Sequence, residues 1–402
     1  MNDTALAFTP SEPGQAAPEG VIPLCVPEIR GNEWQYVKEC LDSNWVSSVG
    51  PFVDRFEQAL ADYVGTKCAV ACVNGTAALH IALLTAGVLP DDEVLVSALS
   101  FIAPANAIRY AGAWPVFIDA EELYWQMDPN RVYDFLHKDC SWSNGSLWNK
   151  ETKRRVSAIL PVHILGHPVD MDPLMELAEK YNLAVIEDAT ESLGAKYKDR
   201  NVGNLGHIAC FSFNGNKIIT TGGGGMITTN NEAWAAKAKY LTTQAKDDPI
   251  EFVHGQIGYN FRLANVLAAI GVGQMELLDE YVAFKRATAR KYNEAFARIP
   301  SITCMSEAEW AFSTSWLYTI LINEDSSGRT SRTVLRDLDR HKIQARPLWQ
   351  PLNQSPAYAA MPQIKCPTAE RLNRLALSLP CSVGLKADQQ DSVIRIVSES
   401  LA

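Results

Sequence analysis

Between residues 36 and 230 the chain alternates short apolar runs with stretches of helical periodicity, and that alternation restricts the fold more than any other feature. Residues 68–73 read as a strand, 77–86 as a helix, 93–97 as a strand, 105–111 as a helix and 114–119 as a strand. The pattern resumes with a strand at 156–162, a helix at 172–181, a strand at 183–187 and short strands at 210–213 and 226–229. Strands joined through helices return to the same end of a sheet, so they pair in parallel and the helices cover the faces. The expectation is an α/β protein with a mostly parallel sheet, whose ligands gather at the carboxyl ends of the strands. Residues 137–155 break the pattern. They are polar yet carry Trp142 and Trp148, and read as an inserted loop. From about Leu277, long helical stretches at 277–299 and 330–341 flank a strand-like run at 316–322, which predicts a smaller C-terminal α/β domain. The expected division is an arm at 1–35, a large domain at 36–270 and a small domain at 271–402.

A chain of 402 residues, 47% of them apolar, is too long for one ordinary domain. A net charge of -10 argues against a nucleic-acid partner, although a local cluster of Arg and Lys can still hold an anion. The nine cysteines are scattered and odd in number, with no CxxC pair. They read as reduced core thiols of a cytoplasmic protein, with no metal site. Residues 1–20 lack the basic and apolar regions of a secretory signal and read as a loose arm. The apolar stretch 69–89 is interrupted by Asn74, Thr76, His80 and Thr85, so it belongs to a core and not to a membrane.

The stretch richest in chemistry is 186–226, IEDATESLGAKYKDRNVGNLGHIACFSFNGNKIITTGGGGM. Asp188 closes an apolar strand, which puts its carboxylate at the ligand edge of the sheet. There it can hold a protonated pyridine nitrogen or cap the next helix, and position alone leaves both roles open. Lys217 follows the polar turn Asn214-Gly215-Asn216 and precedes four glycines, Gly222 to Gly225. Most lysines are solvated surface charges. These apolar, glycine-rich flanks leave little room for water, and a desolvated amine gives up its proton more easily, as a Schiff-base lysine must. Asn74-Gly75-Thr76 joins the first strand to its helix, where amides and the helix dipole can hold an anion, though ordinary strand-to-helix turns look the same. The tetraglycine is neither a GxGxxG after a first strand nor a P-loop.

Together these residues resemble the DegT/DnrJ/EryC1/StrS family, sugar aminotransferases that use pyridoxal 5'-phosphate (PLP) on the aspartate aminotransferase fold, fold type I. The resemblance spans roughly residues 22–379 and rests on VNGTAALH, SFIAPANAIRYAGAWPVFID, IEDATESLGAKYK, FSFNGNKIITTGGGGM, GYNFRL and ARPLWQPL. It implies the PLP-dependent transferase fold, with a large domain built on a mixed, mostly parallel sheet. Lys217 falls where the family's Schiff-base lysine lies, and Asp188 where the partner of the pyridine nitrogen lies. Glu191 stands where many members have Gln, near the cofactor's 3-oxygen. Phe101 matches the aromatic covering the ring, and Gly75, Thr76 and Ser212 match phosphate binders. Asn260, in GYNFR, matches a residue reaching the phosphate from a second subunit, which implies a homodimer with shared sites. Trp45, Ser47, His163 and Arg346 lie where the family lines its sugar-nucleotide cleft. Two positions depart: Asn214 replaces a common His or Tyr, and Asn353 replaces the His of PLH.

The implied reaction is ping-pong: an amino group passes from glutamate, released as 2-oxoglutarate, to C4 of a nucleotide-linked 4-keto-6-deoxy sugar for surface-glycan or nonulosonic-acid synthesis. Within the family, WVSSVG, DATES, SFNGNK and TTQAKDD resemble the branch acting on UDP-linked 4-keto-6-deoxy-N-acetylhexosamines. The alternative is the GDP-linked sugar of perosamine synthesis. A PLP sugar dehydratase would carry His in place of Lys217. A non-catalytic PLP-binding regulator would need a nucleic-acid-binding element, and neither a helix-turn-helix nor a basic region accompanies the fold.

Overall fold

A computed structural model describes residues 20–248, 250–359, 361 and 364–402. The expected arm therefore lies outside the described residues up to position 19. Every strand marked by the alternation is present, with ends moved by one or two residues: β1 (Cys68–Cys72), β2 (Glu93–Ser97), β3 (Trp114–Ile118), β6 (Arg155–Leu160), β7 (Ala184–Asp188), β10 (Ile208–Ser212) and β11 (Gly225–Thr229); β4 (Cys140–Ser143), β5 (Ser146–Asn149) and a short hairpin of β8 (Lys196–Tyr197) and β9 (Arg200–Asn201) join them unannounced. The central sheet runs β1-β11-β10-β7-β6-β2-β3. All neighbours from β10 to β3 are parallel, and β11 is antiparallel to both β1 and β10. With that one reversed strand, the carboxyl ends of β1, β2, β7 and β10 share one edge, together with the start of β11.

Period-two alternation splits these strands between two cores. Leu95, Ile159, Val185 and Phe211 face one, and Val96, Leu160, Ile186 and Cys210 the other. Both faces are covered, so the central strands read as continuous apolar runs, each buried aliphatic side chain contributing roughly 1.5–3 kcal/mol.

The segment expected to be a loop is a hairpin. β4 pairs with β5, and β5 extends the sheet beside β6. Its turn is Asn144-Gly145, both at positive φ (52° and 72°), the pair that a two-residue hairpin turn favours. Trp148 donates its indole N–H to the Ser143 carbonyl at 3.1 Å, and Trp142 stays exposed.

A three-stranded antiparallel sheet (Ile302–Cys304, Tyr318–Ile322, Ala376–Leu379) forms a third core with helices Leu278–Phe296, Ser331–Arg340 and Ala387–Leu401. The division expected at 270/271 falls inside helix Asn265–Met275, which packs on helices Glu33–Asp42 and Pro51–Val64. The change of core comes later, within helix Leu278–Phe296: Leu278, Tyr281 and Val282 join the first core, Ala289, Tyr292 and Phe296 the third. Near the start of the described chain, Ile22 bridges to Ile343 and packs on this third core. No helix among the described residues is long and apolar enough to cross a membrane.

Candidate active site

A cavity of about 400 Å³ opens at the carboxyl ends of β1, β7 and β10. At its floor, the turn after β1 starts helix Gly75–Thr85. Asn74 caps it, its side-chain oxygen accepting the Ala77 N–H at 2.8 Å, which leaves the first-turn amides of Gly75 and Thr76 for an anion. Packing is close. A Cβ on Gly75 would stand 2.8 Å from Ser212 Cβ and 3.2 Å from Thr190 Cγ2, and one on Gly225 would stand 2.4 Å from the Asn74 carbonyl oxygen. Gly75, Thr76 and Ser212 thus meet as expected, and Asn74 and Thr190 join them along the wall.

Asp188 ends β7 and faces the cavity, accepting the Thr190 N–H at 3.1 Å. Burial raises its pKa, against hydrogen bonds from Thr190 and the charge of Lys217. A cation set against it would relieve that penalty. One residue earlier, Glu187 faces the opposite side. Its two oxygens accept amides from Gly203 (2.9 Å), Leu205 (2.7 Å) and Gly206 (2.6 Å), and Oε2 lies 3.1 Å from His163 Nε2. Burial would raise its pKa, but His163 and the amides prevail and hold it low.

Lys217 approaches Asp188 from the turn after β10. Its ammonium stands 3.9 Å from Glu191 Oε1 and 4.1 Å from the centroid of the Trp316 ring. Burial lowers its pKa, opposed by Glu191, Asp188 and Cys25. Burial also pushes the Glu191 carboxyl up to about 7. Desolvation outweighs the ion pair for both partners. Glu191 is fixed from its other oxygen by the Leu165 N–H at 2.9 Å. Leu165 is fully buried at φ 59°, a left-handed conformation costing about 1–2 kcal/mol. Next to it, Gly166 has φ 92°, and a Cβ there would meet Thr314 Oγ1 at 2.4 Å and the Trp316 nitrogen at 2.7 Å. Glycine at 166 therefore lets the backbone at 314–316 pass close by, with Trp316 over Lys217. The Trp316 indole N–H completes the clamp by donating to the Asn216 carbonyl at 2.8 Å.

A model of the DegT/DnrJ/EryC1/StrS aminotransferase family matches residues 27–398. The chain belongs to this family. GDP-perosamine synthase of Caulobacter vibrioides is 40% identical to it over 381 residues, covering 94% of this chain and 98% of that protein. The putative pyridoxal phosphate-dependent aminotransferase EpsN of Bacillus subtilis is 37% identical, covering 94% and 95%. The crystal structure of DesV from S. venezuelae superposes with a TM-score of 0.82 at 30% identity, covering 92% of this chain and 94% of that one. The protein is a PLP-dependent nucleotide-sugar aminotransferase of the aspartate aminotransferase fold. Its cavity fits the cofactor: a glycine-lined anion turn for a phosphate, a buried carboxylate for a pyridine nitrogen, and a desolvated amine between them.

The remaining expected site residues of this aminotransferase separate into two groups. Phe101 lines the cavity and is 56% exposed. His163 does not line the cleft. It is wholly buried, with Val169 N–H donating to Nδ1 at 3.0 Å and Nε2 spent on Glu187, so it supports β7 from behind. Arg346 also lies off the cavity wall, bridged to Ser378, with its guanidinium on the Ala345 carbonyl at 2.8 Å. Trp45, Ser47 and Asn260 are exposed and outside this chain's cavity. Asn265 ties down the first two, its backbone N–H donating to the Ser47 carbonyl (2.6 Å) and its side chain to that of Trp45 (2.7 Å). The sequence reading missed Trp316 and Trp349, which wall the cavity. Trp316 had been read only as the start of a strand, and nothing local distinguishes it from a core tryptophan.

Proposed function

We propose that this enzyme aminates C4 of a nucleotide-linked 4-keto-6-deoxyhexose with glutamate as donor, and that Lys217 carries the proton in both half-reactions. The observation carrying this reading is the meeting of a desolvated Lys217 and a buried Asp188 beside the Gly75 turn. Bound PLP supplies the electron sink that lets a carbon-bound proton leave. Asp188 keeps the pyridine nitrogen charged, and Gly75, Thr76 and Ser212 grip the phosphate. The Lys217 amine, low in proton affinity through burial, takes the proton and returns it on the same face. Glu191, near neutrality, can donate to an oxygen or accept from one. Trp316 and Phe101 shield the reacting atoms from water.

A GDP-linked sugar is the first reading for the nucleotide, supported by 40% identity to a GDP-perosamine synthase over nearly the whole chain. The UDP-linked N-acetyl sugar is the second, supported by WVSSVG and SFNGNK. We propose also a homodimer with shared sites. Trp45, Val46 and Val49 are exposed beside Ser47, and Ile250, Phe252 and Ile257 are exposed on the segment leading to Asn260. Apolar side chains gathered around predicted site residues suit a second copy better than water. The test is a half-reaction: the enzyme is loaded with pyridoxamine phosphate and offered GDP- and UDP-linked 4-keto-6-deoxy sugars separately, following the return of the visible absorbance. Faster return with the UDP-N-acetyl sugar exchanges the two readings. No return with either, while glutamate still discharges the PLP band, rejects the substrate class.

A further inference from the structure

Behind the Lys217 turn lies a cluster that amino transfer does not use. The Leu24 carbonyl accepts the Cys381 N–H at 2.8 Å, and the Val26 N–H donates to Ser382 Oγ at 3.0 Å, so residues 24–26 run against 381–382 and set Cys25 beside Cys381. The Cys381 thiol donates to the Trp316 carbonyl at 3.5 Å. Lys285, 2% exposed, points its ammonium between them, 3.4 Å from Cys25 Sγ, 3.8 Å from Cys381 Sγ and 2.9 Å from the Trp316 carbonyl. Its three N–H bonds meet three acceptors, two of them sulphur. The groups that favour its charge, against burial, are these two sulphurs and not a carboxylate. A buried ammonium needs a counter-charge, and a thiolate is the one within reach. Cys25 meets that need: the neighbouring Cys381 thiol and Lys285 bring its pKa down to about 6 against burial, while Cys381 is held well above the ordinary thiol value. Of the two, Cys25 is the one partly open to solvent.

We propose that Cys25, Lys285 and Cys381 form an oxidation site for hydrogen peroxide, with Cys25 as the attacking thiolate and Cys381 as the resolving thiol. Cys25 sulphur attacks one peroxide oxygen, the O–O bond breaks, and the departing hydroxide takes a proton to leave as water. Sulphur is oxidised by two electrons to a sulfenic acid and peroxide is reduced. Cys381 then attacks that sulphur, the S–O bond breaks, and the hydroxide leaves as a second water with the Cys381 proton. Two thiols and one peroxide give one disulfide and two waters. The site adjoins the cofactor-lysine turn, since the Cys25 thiol, while protonated, donates to the Asn216 carbonyl at 3.3 Å.

The test uses the purified full-length holoenzyme, graded hydrogen peroxide and peptide mass spectrometry, and does not depend on the role given to Lys217. The expected product is a Cys25–Cys381 cross-linked peptide pair, two hydrogens lighter than its parts and reversed by dithiothreitol. It should form at least about tenfold faster than oxidation of Cys68 or Cys304, the other part-exposed thiols, as expected for a cation-paired thiolate. In Cys381→Ser, dimedone should trap a sulfenic acid on Cys25. Absence of the cross-linked pair in the parent protein, or equal reactivity of Cys68 or Cys304, overturns the proposal without touching the reading of the active site.

Discussion

Asp188 and Glu191 are two buried carboxyls in one cavity with opposite tasks, and single substitutions separate them. Asp188→Asn keeps the shape and the Thr190 hydrogen bond but removes the charge that holds a pyridine nitrogen protonated. We expect kcat to fall at least ~100-fold with PLP still bound, measured by steady-state turnover alongside the visible spectrum. Normal turnover would reduce Asp188 to a cap. For Glu191 the experiment is pH-dependent stability of the apoenzyme. Its folded pKa is raised to about 7 from an ordinary value of 4.5. The stability it contributes is therefore complete below about pH 4.5 and is lost as pH rises through about 7. Glu191→Gln does not titrate, so it should gain on the parent between these limits, on the order of 3 kcal/mol. Parallel Tm curves for the two proteins across that range would mean that Glu191 ionises there at no cost.

The elements show what a sequence can and cannot reveal. β1, β2, β7 and β10 were legible because their patterns are local; Asp188 and Lys217, which end or follow such strands, were legible as positions, and their roles came from the family resemblance alone. The hairpin of β4 and β5 was legible in principle, because Asn144-Gly145 carries a turn signal, but the polar surroundings hid it. Trp316 and Lys285 were not legible: their partners, Asn216 for one and Cys25 for the other, lie 100 and 260 residues away, and only the tertiary fold joins them. His163, in an apolar run, could equally have faced a ligand or a core, and the buried Glu187 decided the matter. At this scale the sharpest test is Gly225→Ala, where the start of β11 presses on the turn after β1. The added methyl group must displace the Asn74 carbonyl, and with it the Gly75 and Thr76 amides. Overpacking of this kind costs about 1–3 kcal/mol, which predicts roughly 5- to 150-fold weaker PLP binding in an equilibrium titration. Unchanged affinity would show that the anion turn yields without loss.

For the whole molecule, the shared-site dimer is open to subunit mixing. Neither Asn260→Ala nor Lys217→Ala should be active alone, and a mixture should recover part of the parent activity, because each heterodimer holds one site assembled from two intact halves. No recovery after confirmed exchange, by native mass spectrometry of tagged chains, would put both residues in one subunit's site. Helix Leu278–Phe296, 19 residues long, is anchored at one end in the first core and at the other in the third. Neither core can melt without exposing half of this helix's apolar face. In a calorimeter, the two cores should therefore lose their structure in a single endotherm, with van't Hoff and calorimetric enthalpies in agreement per cooperative unit. A polypeptide that looks divisible on paper should then come apart as one piece.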